Sequence, residues 1–172
     1  RAYRCDRTII LELELSTEFA ATTAFNIHTW VNDTIAKLRQ QRGLDAFAQV
    51  VAQAVHQRTG FDRVMLYQFD AEGAGAVIAE AKSNNLESYL GLHYPATDIP
   101  EPVRLLYRNG LLRYIPDLQA TAVELCLAGP NVEQTSIDLS RSRLRGVDPC
   151  CVEYHHNMGV TALLVIALVK DQ

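Results

Sequence analysis

The chain has 172 residues, of which 48% are apolar and 21% are charged, which suits one domain with a buried core. Its net charge of −4 argues against a nucleic-acid surface as the main role, and no apolar run approaches the roughly 20 residues that cross a bilayer. The first residues are not typical of a signal peptide, and four cysteines do not make a disulfide framework at this length. We therefore expect a reduced, cytoplasmic protein without a membrane or nucleic-acid partner.

The N-terminal part of the chain predicts a strand and two helices. The apolar run over residues 9–15 predicts a strand with no obvious partner nearby, which indicates the end of a preceding domain. Apolar residues recur at helical spacing over residues 25–41 and 44–60, and a glycine follows each helix. Tandem helices are typical of a dimer or linker bundle, but the second helix also fits a packing layer on a sheet. Its predicted apolar face consists of Leu44, Phe47, Val50, Val51, Ala54 and Val55.

A hairpin is predicted next. In residues 61–69 the side chains of Met65, Tyr67 and Phe69 share one side of a strand, and residues 76–81 return after a glycine-rich turn. Both sides of the first strand are largely apolar, so we expect both to be covered. Helices followed by a hairpin predict an α+β fold with a central antiparallel sheet flanked by helices.

The second half of the chain is less regular. Three prolines forbid a regular helix or central strand over residues 86–102, yet the segment is rich in aromatic residues, which is typical of a loop that lines a site. A short helix over residues 103–107 and a short strand over residues 112–115 follow. Residues 139–158 predict a helix interrupted at Gly146 and Pro149, and residues 160–169 predict a central strand.

Residues 139–159 combine two adjacent cysteines with several arginines and histidines. Cys150 and Cys151 could bind a metal, but no CxxC pair accompanies them. A catalytic thiol would need a base and an oxyanion site that the sequence does not mark. Covalent attachment of a prosthetic group is a third hypothesis, and composition alone favours two small buried residues.

Other residues have alternative interpretations of the same kind. Arg113 and Arg145 could bind carboxylates through paired hydrogen bonds, or they could be ordinary surface arginines. Asp98 lies between prolines and is either the N-cap of the short helix or a functional acceptor. For the tyrosines Tyr67, Tyr94 and Tyr154 the residues alone favour core positions whose hydroxyl is satisfied.

Four segments together resemble the bilin-binding GAF domain of phytochromes. They are FDRVMLYQFD (61–70), YLGLHYPATDIP (89–100), LLRYIPDL (111–118) and LSRSRLRGVDPCCVEYHHNMGV (139–160). The resemblance covers most of residues 20–170, and the DIP segment is its most specific part. ELEL (12–15) resembles the end of the PAS domain that precedes the GAF domain in phytochromes. This implies a PAS remnant or linker over residues 1–18 and a GAF domain over residues 19–172, whose usual closing strand and helix are missing.

The resemblance implies a linear tetrapyrrole as cofactor, joined by a thioether to Cys150. A thioether at that position favours phycocyanobilin over biliverdin. Asp98 matches the acid of the DIP motif that engages the pyrrole nitrogens, and Arg113 and Arg145 match arginines that pair with propionates. The further pocket positions that the resemblance assigns are Tyr67, Tyr94, Tyr154, Cys151, Ser142, Ile99 and Pro100. Cys151 stands where the family usually has a histidine.

The implied function is that of a red/far-red photoreceptor that isomerises its pigment at the D ring and signals to an output such as a histidine kinase. The resemblance implies no enzymatic turnover apart from self-attachment of the pigment. It also implies a homodimer that associates through the helices. The alternative from another class is a light-insensitive GAF module for a small ligand or for dimerisation. Asp98 and Cys150 together favour the photoreceptor.

Overall fold

A computed structural model describes residues 1–6, 8–14, 21–126 and 137–169. Within these residues the helices are α1 (Ala21–Leu38), α2 (Leu44–Thr59), α3 (Glu101–Gly110) and α4 (Pro149–Asn157). The strands are β1 (Ala2–Cys5), β2 (Thr8–Leu11), β3 (Arg63–Phe69), β4 (Gly75–Lys82), β5 (His93–Tyr94), β6 (Leu112–Ile115) and β7 (Leu163–Ile166). All strand pairs are antiparallel, so the α+β class with antiparallel pairing is confirmed. The pairing is distributed over three small sheets, in the orders β1-β2, β3-β4-β5 and β6-β7.

The chain forms two compact units. One, the middle unit, is Ser16–Glu101, and the other, the terminal unit, combines Arg1–Leu15 with Pro102–Gln172. The middle unit contains the β3-β4-β5 sheet, and the terminal unit contains the β1-β2 and β6-β7 sheets. The assignment of residues 1–18 to a PAS remnant and of residues 19–172 to a GAF domain stays a prediction.

The core of the middle unit lies between helix α2 and the β3–β4 hairpin. Ala48 and Ala52 of α2 and Ala79 of β4 are completely buried, and Val64 and Leu66 of β3 pack against them. Small side chains let the helix approach the sheet closely, so apolar surface is removed from water at a short distance. The helix ends at Gly60, whose left-handed conformation (φ 71°) lets its N–H bond the carbonyl of His56.

The predicted apolar face of α2 is only partly correct. Leu44 and Phe47 remain 54% and 41% exposed, whereas the fully buried positions are the two alanines. Hydrophobicity alone predicts that the large apolar residues of α2 are the most buried. The helix instead contacts the hairpin through its small residues, so the alanines are the buried ones. The helices themselves and the hairpin lie where the sequence predicts them.

The terminal unit contains two antiparallel strand pairs, helix α4 and all of α3 after its first residue. Strand β2 pairs with β1, so the expectation of an N-terminal strand without a nearby partner is wrong. Leu112 of β6 lies opposite Ile166 of β7, and Ile115 is buried on the inner face. Among the described residues β7 pairs with β6 alone, and the prediction that it is a central strand stays a prediction.

Two predictions about helix boundaries are also corrected. Pro149 does not interrupt a helix but begins α4, because a missing N–H costs nothing in the first turn. Asp148 caps that helix by accepting a hydrogen bond from the Cys150 N–H at 2.8 Å. Helix α3 is longer than expected and begins at Glu101, so Asp98 is not its N-cap.

Candidate functional site

Arg113 is the buried centre of the terminal unit's polar cluster. It occupies an inward position of β6, next but one to buried Ile115, and is only 7% exposed. Its guanidinium donates hydrogen bonds to the carbonyls of Arg143 (2.7 Å), Arg145 (2.8 Å) and Gly146 (3.3 Å). The sequence left Arg113 as either a ligand-binding or an ordinary surface arginine, whereas the structure buries it and these bonds give it a structural role.

The segment that receives these bonds is the turn Ser140–Gly146, which we call the arginine turn. Arg145 donates from Nη1 to the carbonyls of Ser140 (3.0 Å) and Ser142 (2.7 Å). Two guanidiniums therefore bind five carbonyl groups of one seven-residue turn, at positions 140, 142, 143, 145 and 146. Because these part-buried bonds join five carbonyls of the turn to two side chains, the arginines help to hold the conformation of the turn.

A carboxylate from the beginning of the chain binds the same turn. Oε1 of Glu12 accepts hydrogen bonds from the Ser142 hydroxyl (2.5 Å) and from the N–H groups of Arg143 (2.6 Å) and Leu144 (2.8 Å). Burial raises the pKa of Glu12, but these bonds and the charge of Arg1 outweigh it and leave the pKa below its ordinary value. The carboxylate is therefore charged at neutral pH.

The arginine turn borders a small polar cavity of about 80 Å³. Its lining contains no aspartate or glutamate among the described residues, and we call it the arginine cavity. Burial and the neighbouring charge of Arg145 lower the pKa of Arg113, and burial raises the pKa of the adjacent Tyr107 hydroxyl. A cavity of this composition favours a small anion. The arginines that line it are Arg1, Arg113, Arg141, Arg143 and Arg145.

The two adjacent cysteines of helix α4 differ in their exposure to solvent. Cys150 is exposed in the first turn, whereas Cys151 is half-buried, and burial together with the charge of Asp148 raises the pKa of its thiol. Nδ1 of His155 lies 2.7 Å from the Cys151 carbonyl and 3.5 Å from its sulfur. The short contact to a carbonyl requires a proton on Nδ1, so this nitrogen is not a base for the Cys151 thiol.

Tyr154 lies on the same helix. Its side chain is 37% exposed, and its ring meets that of His155 edge to face at a centroid distance of 5.5 Å. Helix α4 therefore carries Cys150, Cys151 and Tyr154 together, and the arginine cavity brings together Arg113, Arg145 and Ser142. All six predicted positions belong to the terminal unit.

The middle unit contains the other predicted positions. The ring centroids of Tyr67 and Tyr94 are 5.9 Å apart, and the Phe69 ring meets Tyr67 edge to face at 4.9 Å. Gly75, which pairs with both Phe69 and Tyr94, makes this possible, because a Cβ atom on Gly75 would collide with the Tyr67 ring. The sequence interpretation placed Gly75 in a turn and missed its role.

Asp98 lies in the turn that follows β5. It is half-buried, its N–H bonds the carbonyl of Pro95 at 3.1 Å, and Ile99 and Pro100 follow it towards α3. Burial raises the pKa of Tyr94, and the negative charge of Asp98 adds to this rise, whereas Arg63 opposes it. Tyr67, Tyr94 and Asp98 therefore form one group within the middle unit.

A buried carboxylate also holds the loop that leads to this group. Glu80 of β4 forms an ion pair with Arg63 and accepts hydrogen bonds from the Ser88 hydroxyl (2.6 Å) and the Tyr89 N–H (3.1 Å). Arg63 also donates to the Glu87 carbonyl and lies over the Tyr89 ring at 3.9 Å. Neither Glu80 nor Glu12 was predicted, because each binds residues that only the fold brings near.

The described residues contain neither a membrane-spanning helix nor a cluster of metal-binding side chains. None of the four helices there is long and apolar enough to cross a membrane. In the same part of the chain, no three side chains of the His, Cys, Asp and Glu types are grouped as a metal site.

Comparisons with known proteins identify the class of protein to which this chain belongs. No family model matches the chain. It is 44% identical to cyanobacterial phytochrome A of Nostoc sp. over 163 residues, which cover 95% of the chain and 21% of that protein. It is 42% identical to cyanobacterial phytochrome B of the same organism over 99% of the chain and 23% of the relative.

A solved structure agrees with these relatives. The chromophore-binding domain of Stigmatella aurantiaca phytochrome P1 superposes with a TM-score of 0.89 and 43% identity, over 99% of this chain and 55% of that one. The fold is thus that of a phytochrome chromophore-binding domain. The chain belongs to the phytochrome family and spans about a fifth of the length of the curated relatives.

Proposed function

We propose that this chain is the chromophore-binding part of a phytochrome-type photoreceptor and carries a linear tetrapyrrole attached to Cys150 through a thioether. The relatives are phytochromes, and the solved neighbour is described as a chromophore-binding domain. When bound, the pigment supplies absorption of visible light and isomerisation at its D ring.

The observation that carries the proposal is the arginine cavity. Arg113 precedes Arg145 by 32 residues in the sequence, yet both line one cavity together with Ser142, and no acidic side chain was found in its lining among the described residues. Its volume of about 80 Å³ is far below the roughly 300 Å³ or more of a pocket for a drug-sized ligand, so it suits a carboxylate group rather than a whole pigment. A tetrapyrrole with two propionates presents such carboxylates, and guanidiniums bind them well.

Exposure supports Cys150 over Cys151 as the attachment site. The Cys150 thiol is exposed in the first turn of α4, where an attached group has room. Cys151 is half-buried with a raised pKa, which keeps it protonated and less nucleophilic at neutral pH. We propose that Cys151 packs beside the attachment site and does not compete for the pigment.

The group around Asp98 supports a role beside a cationic ligand. A tetrapyrrole with four protonated nitrogens carries a positive charge that a carboxylate stabilises. Tyr67 and Tyr94 supply aromatic surface next to Asp98 in the middle unit, which would exclude water and restrain a ring. By the resemblance, Tyr154, Ile99 and Pro100 also contact the pigment.

Other parts of the proposal rest on the resemblance. The pigment is phycocyanobilin rather than biliverdin, and the output, a histidine kinase, lies outside these residues. The chain works in the cytoplasm as a homodimer that associates through its helices. Exposed apolar residues on the described part of α1, Val31 at 37% and Ile35 at 40%, are compatible with such a contact.

The test is coexpression with enzymes that make phycocyanobilin. Covalent pigment is detected by zinc-dependent fluorescence of the denatured band, and an absorption spectrum is recorded before and after red illumination. Cys150→Ala is expected to abolish the band, and Cys151→Ala, the matched control, to retain it. Full labelling of Cys150→Ala would refute the attachment site. A colourless wild-type protein would favour the light-insensitive ligand or dimerisation module.

A further inference from the structure

Glu12 makes the most concentrated set of contacts to the arginine turn. Its side chain comes directly after β2 and is 7% exposed, and one oxygen, Oε1, receives three hydrogen bonds between 2.5 and 2.8 Å from consecutive residues of the turn. Successive N–H groups that converge on one point form an anion-binding concavity, and charge-assisted bonds are stronger than neutral ones. Glu12 fills that concavity from within the chain.

Glu12 and the arginines satisfy opposite groups of the same turn. The carboxylate binds the N–H groups of residues 143 and 144, whereas Arg113 and Arg145 bind carbonyls on either side of them. Neither set of bonds can form fully unless the turn has one particular conformation. The carboxylate therefore helps to set the positions of the guanidiniums, although Glu12 itself is not part of the cavity lining.

The other oxygen of the Glu12 carboxylate has a different environment. Oε2 is buried and has no hydrogen-bond partner among the described residues. A buried unpaired oxygen costs about 1–3 kcal/mol, so the bonds to Oε1 must outweigh that cost for the arrangement to persist. A glutamine here would put two N–H donors where that oxygen is buried, and it would weaken the three bonds.

We propose that Glu12 is a positioning residue for the arginine cavity, and that its carboxylate fixes the arginine turn in the conformation in which Arg113 and Arg145 recognise a carboxylate of the ligand. This inference rests on the proposed function, because it takes the propionates of a tetrapyrrole as the ligand groups. Glu12 never touches the ligand. It acts through Ser142, Arg143 and Leu144.

The first experiment needs no pigment. Amide hydrogen exchange of the purified chain is followed at Arg143 and Leu144 in the wild type, in Glu12→Gln and in the control Glu14→Gln, whose side chain is exposed two residues further on. Exchange at both amides is expected to be slow in the wild type and in Glu14→Gln, and about tenfold faster in Glu12→Gln. Wild-type amides that exchange like an unprotected loop would overturn the proposal, and this holds even if the variant fails to fold.

The second experiment separates positioning from general stability. Attachment rates are compared for phycocyanobilin and its dimethyl ester, which lacks the negative charges. The wild type and Glu14→Gln are expected to prefer the acid about tenfold or more, as one charge-assisted interaction predicts. Glu12→Gln is expected to lose most of that preference because only the acid becomes slower, whereas general destabilisation would slow both pigments alike.

The outcomes distinguish the two proposals. If the wild type accepts acid and ester equally, the assignment of propionates to the arginine cavity fails, while hydrogen exchange still decides the role of Glu12 in the turn. If the wild type discriminates and Glu12→Gln discriminates equally well, the proposed function stands and the positioning role of Glu12 is refuted.

Discussion

The ring of Tyr67 occupies the space into which a side chain at Gly75 would project. The two residues lie on paired strands of one hairpin, and Gly75 also pairs with Tyr94 on the other side. A glycine in a strand often marks such a close approach. The position of the aromatic group proposed to contact the pigment therefore requires that residue 75 has no Cβ atom.

Replacement of Gly75 by alanine tests this relationship. The new methyl group must displace the Tyr67 ring, and overpacking of this kind costs about 1–3 kcal/mol of unfolding free energy. Urea unfolding measures the loss, and the pigment's absorption band is expected to shift in the same variant. Gly110→Ala is the control, because a Cβ atom there meets nothing within 4 Å. Equal stability of the two variants would contradict the argument.

Replacement of Arg113 by lysine tests the arginine turn. An ammonium group cannot reproduce three bonds to the carbonyls of Arg143, Arg145 and Gly146, so we expect a loss on the order of 3 kcal/mol. Arg108→Lys, at an exposed position of α3, is expected to change the unfolding free energy by less than about 0.5 kcal/mol. Both values come from urea unfolding of the pigment-free chain. If the unfolding free energy of Arg113→Lys equals that of the wild type, the turn does not need the guanidinium.

Differential alkylation of the pigment-free chain tests the two cysteines of α4. Iodoacetamide is expected to modify Cys150 several times faster than Cys151 at pH 7.5, because Cys151 is half-buried and its pKa is raised. Peptide mass spectrometry after timed quenching gives both rates. Raising the pH to 9 should accelerate Cys151 by increasing its thiolate fraction. A faster Cys151 at pH 7.5 would weaken the choice of Cys150 for attachment.

Acid stability tests the two buried carboxylates. Burial raises the pKa values of Glu12 and Glu80, but hydrogen bonds outweigh it and leave both values below the ordinary one. A lowered folded-state pKa contributes stability above the unfolded-state pKa of about 4.3, and this contribution is lost as the pH falls through the folded-state value. Urea midpoints are therefore expected to hold from pH 7 to 5 and to drop below about 4. Glu12→Gln should show a smaller drop than the wild type, and an identical drop would contradict the role of its charge.

Helices α1 and α2 and the β3–β4 hairpin could be predicted because their signals are local. Apolar spacing, a closing glycine and a glycine-rich turn are read within a few residues of each element. The resemblance to phytochromes likewise rests on short contiguous segments, and the comparisons confirm it. By contrast, the sequence left the N-terminal strand without a partner and made Pro149 an interruption, since neither the partner of a strand nor the start of a helix is decided by hydrophobicity.

The candidate site divides in the same way. The resemblance assigns Cys150, Arg145 and Asp98 to the site because they lie inside recognisable segments, and this assignment stays a prediction. It does not give their exposure or their hydrogen-bond partners. Gly75 left a weak signal, a glycine beside a strand rich in aromatic residues. Glu12 left none, because its partners Ser142, Arg143 and Leu144 lie about 130 residues further along the chain.

The amino-acid sequence by itself determined the family, the α+β class and the residue types that suit an acidic pigment. Only the tertiary structure decided which guanidiniums share a cavity, which thiol is exposed and which carboxylate binds the turn. The physical reason is the distance along the chain over which each kind of interaction acts. Backbone propensity and side-chain periodicity act over one or two turns of chain, whereas burial, hydrogen-bond partners and pKa values depend on atoms that folding brings together from distant positions.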